Sequence, residues 1–202
     1  MSHIIYCVDT ETTGLEANIA DVIEVSCWRN LPVEEQRTWC IKPINLADIS
    51  EKALKVNGHK LEDLLHSTEH GKKTYREASA VVPEIESWIL QDGFSMEDRV
   101  FIGQNPDFDV GFLKALWRKA GSPDSFPFGN FVIDTIMVTR LIDLCTGIKR
   151  ERYNLASLVK AFSVTKDKAH SADGDVRMTK DLFFAQLDPI KEFVAKMFAE
   201  KY

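Results

Sequence analysis

The sequence predicts an α/β protein with one mixed, five-stranded sheet and helices on its faces. Five short apolar runs are bounded by turn residues, and their lengths favour strands over helices. Three of these runs follow one another through short polar turns, and the later ones alternate with helical patterns. This order of elements indicates a mixed sheet covered by helices.

The strands are expected at residues 4–8, 22–28, 37–42, 100–102 and 131–133. The first run, Ile4 to Val8, is unbroken and partly β-branched, as in a strand that is buried on both faces. The third run ends at Lys42-Pro43, because proline cannot continue the hydrogen-bonded ladder of a central strand.

Cap residues and apolar spacing predict the helices. Ser50 is the expected N-cap of a helix that runs to about Val56 and stops at Asn57-Gly58. The other helices are expected at residues 77–90, 107–119, 134–144, 154–161, 172–186 and 189–200. The segments 67–76 and 121–130 are polar or rich in Pro and Gly, and are predicted to be loops.

Size and charge limit the class of protein. The chain has 202 residues and is 45% hydrophobic, which suits a single domain over residues 1–202. Its net charge of −6 disfavours a protein that coats nucleic acid by bulk charge. The same charge is compatible with an enzyme whose metal ions neutralise phosphate locally.

The cysteines and the apolar runs bear on the compartment. Cys7, Cys27, Cys40 and Cys145 form no CxxC pair, and three of them lie in strand-like runs, so buried reduced thiols are expected. We therefore expect a cytoplasmic protein. The early charge at Asp9 argues against a signal peptide, and no apolar run approaches the ~18 residues of a membrane span.

Two carboxylates follow the first apolar run, in Asp9-Thr10-Glu11-Thr12-Thr13-Gly14. Asp9 and Glu11 are two positions apart, so on an extended chain they point to the same side. Two like charges on one side repel each other unless a proton or a cation lies between them. At neutral pH a bound divalent metal ion would neutralise this repulsion, and ligands that are all oxygen favour Mg²⁺ or Mn²⁺.

Two further acids lie on the apolar side of predicted helices. Asp109 shares a helix face with Phe112, Leu113 and Leu116, and Asp175 begins a helix in line with Thr179 and Leu182. Their neighbours Asp107 and Asp173 are interpreted as surface acids. Each inward acid alone could be a cap or a surface residue; the four together indicate a site.

One histidine stands beside a predicted metal ligand. His170 lies five residues before Asp175, where it could accept a proton near neutral pH. The remaining histidines are interpreted as structural or exposed; they are His3, His59, His66 and His70.

Three segments together resemble the three exonuclease motifs of the DEDDh (DnaQ-like) 3′–5′ exonucleases. They are Asp9-x-Glu11, the run from Gly103 to Leu113, and the run Ala169-His170-Ser171-Ala172-Asp173-Gly174-Asp175. The sister branch of that family has a tyrosine four residues before the last acid. Ser171 occupies that position here, so the resemblance favours the histidine branch. It implies a ribonuclease H-like fold, with which the predicted strand count agrees.

The resemblance also implies the activity and the cofactor. The expected enzyme is a metal-dependent 3′–5′ exonuclease that hydrolyses the terminal phosphodiester of single-stranded or frayed nucleic acid, DNA in preference, and releases nucleoside 5′-monophosphates. The implied cofactors are two divalent ions, Mg²⁺ or Mn²⁺. The implied metal ligands are Asp9, Glu11, Asp109 and Asp175, and His170 is the implied general base.

The resemblance assigns substrate contacts as well. The turn from Thr12 to Leu15 would meet the 3′-terminal nucleotide, with Leu15 packing on the base; without the family, Leu15 could equally be an ordinary turn hydrophobe. The full set of expected substrate-binding residues is Thr10, Glu11, Thr12, Thr13, Gly14, Leu15, Asn105, Phe108 and His170. Gln104 stands where histidine is common in the family, and no metal ligand is missing.

The sequence leaves two alternative functions open. The enzyme could prefer RNA, and the fold could instead serve as a nucleic-acid-binding module that does not cut. The expected partners are nucleic-acid 3′ ends, with no membrane and with a homodimer possible.

A basic stretch over residues 147–170 could contact phosphates of the incoming strand, although a solvated surface explains it equally well. Its basic residues are Lys149, Arg150, Arg152, Lys160, Lys166 and Lys168, against Glu151 and Asp167.

Overall fold

The computed structural model describes residues 3–66, 74–165 and 171–199. Its centre is a five-stranded sheet in the order β3-β2-β1-β4-β5. The strands are β1 (Ile4–Thr12), β2 (Val22–Arg29), β3 (Glu35–Cys40), β4 (Arg99–Gly103) and β5 (Val132–Asp134). The first three strands pair antiparallel, and β4 pairs parallel to both β1 and β5. The predicted five-stranded mixed sheet is confirmed.

Seven α-helices surround the sheet in the described residues. They are α1 (Glu51–Asn57), α2 (Leu61–His66), α3 (Ala78–Leu90), α4 (Pro106–Lys119), α5 (Thr135–Thr146), α6 (Leu155–Ala161) and α7 (Ala172–Ala199). Helix α2 was not predicted. It is short and mostly exposed, and only Leu64 enters the core, where it meets Ile23, Leu54 and Tyr75. One buried side chain gives no helical period to recognise.

Helix α7 corrects the prediction of two helices, since it runs through Pro189 without a break. A proline inside a helix removes one backbone hydrogen bond, which can kink or end the helix. Here the turns before Pro189 are fixed by Val176, Leu182 and Phe183, which are buried against the sheet. Residues 191–196 beyond the proline are exposed.

Strand β1 is longer than predicted, and this places both of its acids inside the sheet. Its antiparallel pairing with β2 continues to Thr12, whereas its parallel pairing with β4 ends at Cys7. Past Cys7, β1 therefore has a covered edge on the β2 side and an edge that β4 leaves open. The chain leaving β4 enters α4 within three residues and covers that gap.

The hydrophobic core lies on both faces of the sheet. On one face Tyr6 and Phe101 pack with α3 and α4, through Trp88, Phe112 and Trp117 among others. On the other face Cys7 and Ile102 pack with Val176 and Phe183 of α7. Because β1 alternates between these faces, Asp9 and Glu11 lie on the α7 side and Thr10 lies on the α4 side.

Smaller predictions concern the end of strand β3 and the cysteines. Strand β3 ends at Cys40 and not at residue 42, because Ile41 makes only an isolated bridge to Arg76. No disulfide joins the four cysteines, and three lie in strands as expected; Cys7 and Cys27 are buried as predicted, whereas Cys40 is half-buried and Cys145 is exposed. Among the residues that the structure describes, no helix combines the length and the apolarity that crossing a bilayer requires.

Candidate active site

Three carboxylates from two elements meet where β1 passes the end of β4. Asp9, Glu11 and Asp175 each present a carboxylate oxygen, and these oxygens lie within 4.8 Å of one another. Asp9 and Glu11 come from alternate positions of β1, and Asp175 comes from the first turn of α7. All three side chains are partly buried, so they form a concave, oxygen-only group of the kind that hard divalent cations prefer.

Asp109 adjoins this group from the opposite side of the sheet. Its side chain is buried at the start of α4, and its Oδ1 atom accepts two hydrogen bonds from Thr10. The Thr10 amide donates at 2.9 Å and the Thr10 hydroxyl at 2.8 Å. Thr10 thus ties α4 to the β1 segment between Asp9 and Glu11. We call Asp9, Glu11, Asp109 and Asp175 the acidic cluster.

Burial and mutual repulsion make the acidic cluster hold protons when no cation is present. Burial raises the pKa of Asp9 well above its ordinary value, and the charges of Asp109, Glu11, Asp175 and Glu24 raise it further. Burial also raises the pKa of Asp109 to about 7, although the hydrogen bonds from Thr10 act in the opposite direction. A bound cation would relieve the same repulsion, so the residues present fit a divalent metal.

The turn after β1 is held rigidly by hydrogen bonds inside the protein. The Thr12 hydroxyl donates to the Gly14 carbonyl at 2.6 Å, and Asn57 donates to the Thr12 carbonyl at 3.1 Å. Thr13 exchanges backbone hydrogen bonds with Asp21 and Ser50, and its hydroxyl accepts from the Asp21 amide at 2.9 Å. Thr13 is fully buried. The amide and hydroxyl of Thr13 are therefore used to support the turn, and a contact between Thr13 and substrate stays a prediction.

A cleft of about 500 Å³ opens beside the acidic cluster. Leu15 stands at its rim with 84% of its surface exposed, and Ile19, Val56 and Phe108 add further apolar surface. Of the expected substrate contacts, six line this cleft: Thr10, Glu11, Thr12, Gly14, Leu15 and Phe108. Thr10 and Thr12 are almost buried, so most of the accessible surface there comes from Leu15 and its apolar neighbours.

Asn105 does not line the cleft. It is exposed before α4 in the left-handed conformation (φ 60°), and its amide donates to Asp134 Oδ1 at 3.1 Å. Asp134 also accepts from the Ile136 amide at 2.9 Å and so caps α5. In this structure Asn105 joins the starts of two helices. Its neighbour Gln104 donates to the Tyr153 carbonyl at 2.7 Å and accepts from the Thr135 hydroxyl.

Two sequence predictions lie wholly or partly outside the described residues. His170 lies outside them, and so do Lys166, Asp167 and Lys168 of the basic stretch. Within the described part of that stretch, Arg150 is committed to the fold. Its Nε donates to both carboxylate oxygens of Asp143, at 2.9 and 3.0 Å, and its guanidinium lies over the Phe162 ring. Arg150 is thus a poor candidate for a phosphate contact, whereas Arg152 is exposed.

Gln36 supports the site, and the sequence analysis did not identify it. Its side-chain amide donates to the Asp173 carbonyl at 2.9 Å, to Asp173 Oδ1 at 2.8 Å and to Ser26 Oγ at 3.2 Å. Ser26 is the β2 partner of Asp9, and Asp173 is two residues before Asp175. Gln36 therefore links the start of α7, which carries Asp175, to the β2 residue that pairs with Asp9. A polar residue on an edge strand gives no signal of this role in the sequence.

The comparisons with known proteins agree on one family. The exonuclease family RNase_T matches residues 6–183. A PolC-type DNA polymerase III from Lacticaseibacillus paracasei is 28% identical over 192 residues, which are 94% of this chain and 11% of that protein. The DNA polymerase III subunit epsilon of Treponema pallidum is 26% identical over 178 residues, 87% of this chain and 72% of the subunit.

A solved structure supports the same fold. E. coli exonuclease I in complex with a dT13 oligonucleotide aligns with a TM-score of 0.71 at 18% identity, over 98% of this chain and 43% of that one. The chain spans about a tenth of the length of the PolC-type relative, so it corresponds to one portion of that polymerase. The family match covers all three motif segments and both sides of the acidic cluster. The chain belongs to the exonuclease family, and its fold is that of the solved exonuclease I structure.

Proposed function

We propose that this protein removes nucleotides one at a time from the 3′ end of single-stranded or frayed DNA and releases nucleoside 5′-monophosphates. The observation that carries the proposal is the acidic cluster at the edge of an apolar cleft. A terminal phosphodiester needs charge neutralisation, and the adjoining base needs a flat apolar surface. The cluster and the cleft offer these two environments side by side.

The preference for DNA is supported by the named relatives. The two curated relatives are described as parts of DNA polymerase III, and the solved exonuclease I structure contains a dT13 oligonucleotide. A paired terminus would have to unstack before its last base could enter the cleft, so we expect a single strand or a frayed end to be favoured. We therefore expect a DNA strand to be cut faster than an RNA strand of the same sequence.

We propose that two divalent ions, Mg²⁺ or Mn²⁺, bind to Asp9, Glu11, Asp109 and Asp175. Bound there, such ions supply positive charge that neutralises the phosphodiester and allows water to lose a proton near neutral pH. Leu15 would pack on the terminal base and hold the strand end in register. The buried hydrogen bonds of Thr12 and Thr13 would keep that rim from moving.

His170 is the proposed acceptor of the proton that leaves the attacking water. It precedes Asp175, a proposed metal ligand, by five residues in the sequence. An imidazole changes its protonation state near neutral pH, so it can accept that proton during attack and pass it on afterwards. Replacing His170 by alanine should slow turnover strongly while the oligonucleotide still binds.

A 5′-labelled oligonucleotide tests the proposal directly. With Mg²⁺ or Mn²⁺ present, the protein should give a ladder that shortens from the 3′ end, and the Asp9→Asn variant should give none. A 3′-phosphate-blocked strand, an RNA strand, and a duplex with a paired or mismatched 3′ end should be run beside it. An intact substrate in every lane would refute the enzyme; faster cutting of RNA would refute only the DNA preference.

A further inference from the structure

A fifth carboxylate lies behind the acidic cluster and has no role in the proposed chemistry. Glu24 of β2 is opposite Glu11 in the antiparallel pair with β1, and only 1% of its side chain is exposed. Side chains directly opposite in such a pair have Cβ atoms ~4.5–5.5 Å apart, and like charges there are destabilising. The charge of Glu24 is also among those that raise the pKa of Asp9. Glu24 is therefore close enough to disturb the cluster.

The carboxylate of Glu24 lies against a buried histidine, His59. His59 Nε2 lies 3.3 Å from Glu24 Oε2, close to the carboxylate but without the alignment of a good hydrogen bond. The other ring nitrogen, Nδ1, lies 2.6 Å from the Tyr75 hydroxyl. Burial is the main cause that raises the pKa of Tyr75 above its ordinary value, so its hydroxyl stays neutral. When that hydroxyl donates to Nδ1, the ring proton is on Nε2 and faces Glu24.

The contact between Glu24 and Cys40 shows the direction in which the Glu24 carboxylate is held. Cys40 of β3 is opposite Glu24 on the side away from β1, and its Sγ lies 4.0 Å from the same Oε2 atom. The oxygen that faces His59 therefore leans toward β3. Glu11, on the β1 side, takes part in the three-carboxylate group with Asp9 and Asp175.

The end of α1 places the histidine there. Gly58 caps the helix in the left-handed conformation (φ 71°), which reverses the chain and turns His59 inward. The His59 amide donates to Asn57 Oδ1 at 3.3 Å, and Asn57 donates to the carbonyl of Thr12, the residue after Glu11. One three-residue segment thus contacts both strands that carry the facing glutamates.

We propose that His59 is a positioning residue for the cation site, holding the Glu24 carboxylate toward β3 so that it cannot repel Glu11 out of the acidic cluster. This inference rests on the proposed function, because it assumes that Glu11 binds a cation. His59 acts only through Glu24, so its importance should vanish when Glu24 carries no charge.

Mn²⁺ binding by calorimetry on the full chain tests this, with catalysis measured beside it. Leucine at position 59 fills similar space but offers no donor, and H59L should weaken Mn²⁺ binding about tenfold, about 1.4 kcal/mol. H59Q keeps a donor and should stay near wild type. In the E24Q background, adding H59L should change Mn²⁺ binding by less than about twofold, as expected for a coupled pair. At saturating Mn²⁺, kcat should fall in H59L while KM for the oligonucleotide stays unchanged.

Two results would overturn the inference: wild-type Mn²⁺ affinity in folded H59L, or an equal loss of affinity with and without the Glu24 charge. The second result would mean that the ring only fills space. If H59L does not fold, H59N, whose shorter amide falls short of Glu24, gives the same comparison. Wild-type protein that binds Mn²⁺ and cuts DNA in this series would leave the proposed function standing whatever His59 does.

Discussion

Replacing Thr10 by valine removes one of the two hydrogen bonds that hold Asp109 beside the other acids. Valine has nearly the same shape as threonine, and the backbone amide bond to Asp109 stays in place. The lost bond runs from a hydroxyl to a carboxylate at 2.8 Å, and both side chains are buried. A hydrogen bond to a charged group contributes about 1.5–3 kcal/mol, which corresponds to roughly one or two pKa units at 1.36 kcal/mol each.

The sign of the effect follows from which form of Asp109 the hydroxyl stabilises. The bond from Thr10 lowers the pKa of Asp109, which burial has raised to about 7. Without it, that pKa rises further, and a cation at pH 7 must displace a more tightly held proton. Each unit of pKa above the working pH costs about a factor of ten in cation affinity. We expect Thr10→Val to weaken Mn²⁺ binding roughly 10–100-fold at pH 7 and much less at pH 9.

Calorimetric titration with Mn²⁺ at both pH values measures this, and Thr10→Ser, which keeps the hydroxyl, is the matched control. The serine variant should stay within about threefold of wild type. Equal Mn²⁺ affinity in Thr10→Val and wild type at pH 7 would show that the bond does not hold Asp109 in its charged form. A loss that is just as large at pH 9 would show that Thr10 acts on geometry and not on the proton.

Because the pKa values of Asp9 and Asp109 are raised, the stability that their protonated forms contribute to the metal-free protein is fully present below about pH 4 and is lost as pH rises through the raised values, about 7 for Asp109. The Tm should therefore fall between pH 5.5 and 8, and a Tm that rises over that range without metal would contradict this. Asp9→Asn should raise the metal-free Tm at pH 8 and abolish both Mn²⁺ stabilisation and turnover, and retained cutting would exclude Asp9 as a ligand. Gln36→Leu should weaken Mn²⁺ binding more than it raises KM for the oligonucleotide, because the start of α7 loses its hydrogen bonds to Gln36. Gln36→Glu has no side-chain amide to donate and should weaken Mn²⁺ binding to a similar extent. Wild-type Mn²⁺ affinity in both variants would show that Gln36 does not support the site. Arg150→Glu should lower Tm, because the buried Asp143 carboxylate loses its cation and keeps only the hydrogen bond from Tyr153. Arg152→Glu should keep Tm, raise KM and flatten its salt dependence; unchanged KM and salt dependence would discard a phosphate contact there.

Much of this fold was predictable because its signals are local. Five apolar runs of strand length gave the sheet, and the period of two placed Asp9 and Glu11 on one side. The helical period put Asp109 on the buried stripe of α4. In each case a residue's direction depends on its own element, so the chain alone determines it.

The remaining features depend on pairings between distant segments, which no local pattern encodes. The hydrogen bonds from Thr10 to Asp109 join positions 99 apart, and Gln36 reaches across 137 positions to Asp173. Arg150 appeared to belong to a basic surface because its partner Asp143 faces it only after Gly147 reverses the chain. Thr13 carries the same side chain as Thr12, and only the hydrogen bond from the Asp21 amide shows that its hydroxyl supports the turn.

The position of the acidic cluster follows from the mixed pairing of β1. In this sheet β1 loses its parallel partner before its antiparallel one, because the chain leaves β4 to begin the crossover helix α4. Here β4 stops beside Cys7, and β1 continues to Thr12 against β2 alone. The first turn of α4 fills the edge that β4 leaves. There the buried carboxylate of Asp109 accepts hydrogen bonds from the backbone amide of Thr10, which has no β4 partner, and from the Thr10 hydroxyl. The carboxylate of Asp109 therefore provides the hydrogen-bond acceptor that the Thr10 amide would otherwise lack, and the same contact places Asp109 beside the other three acids.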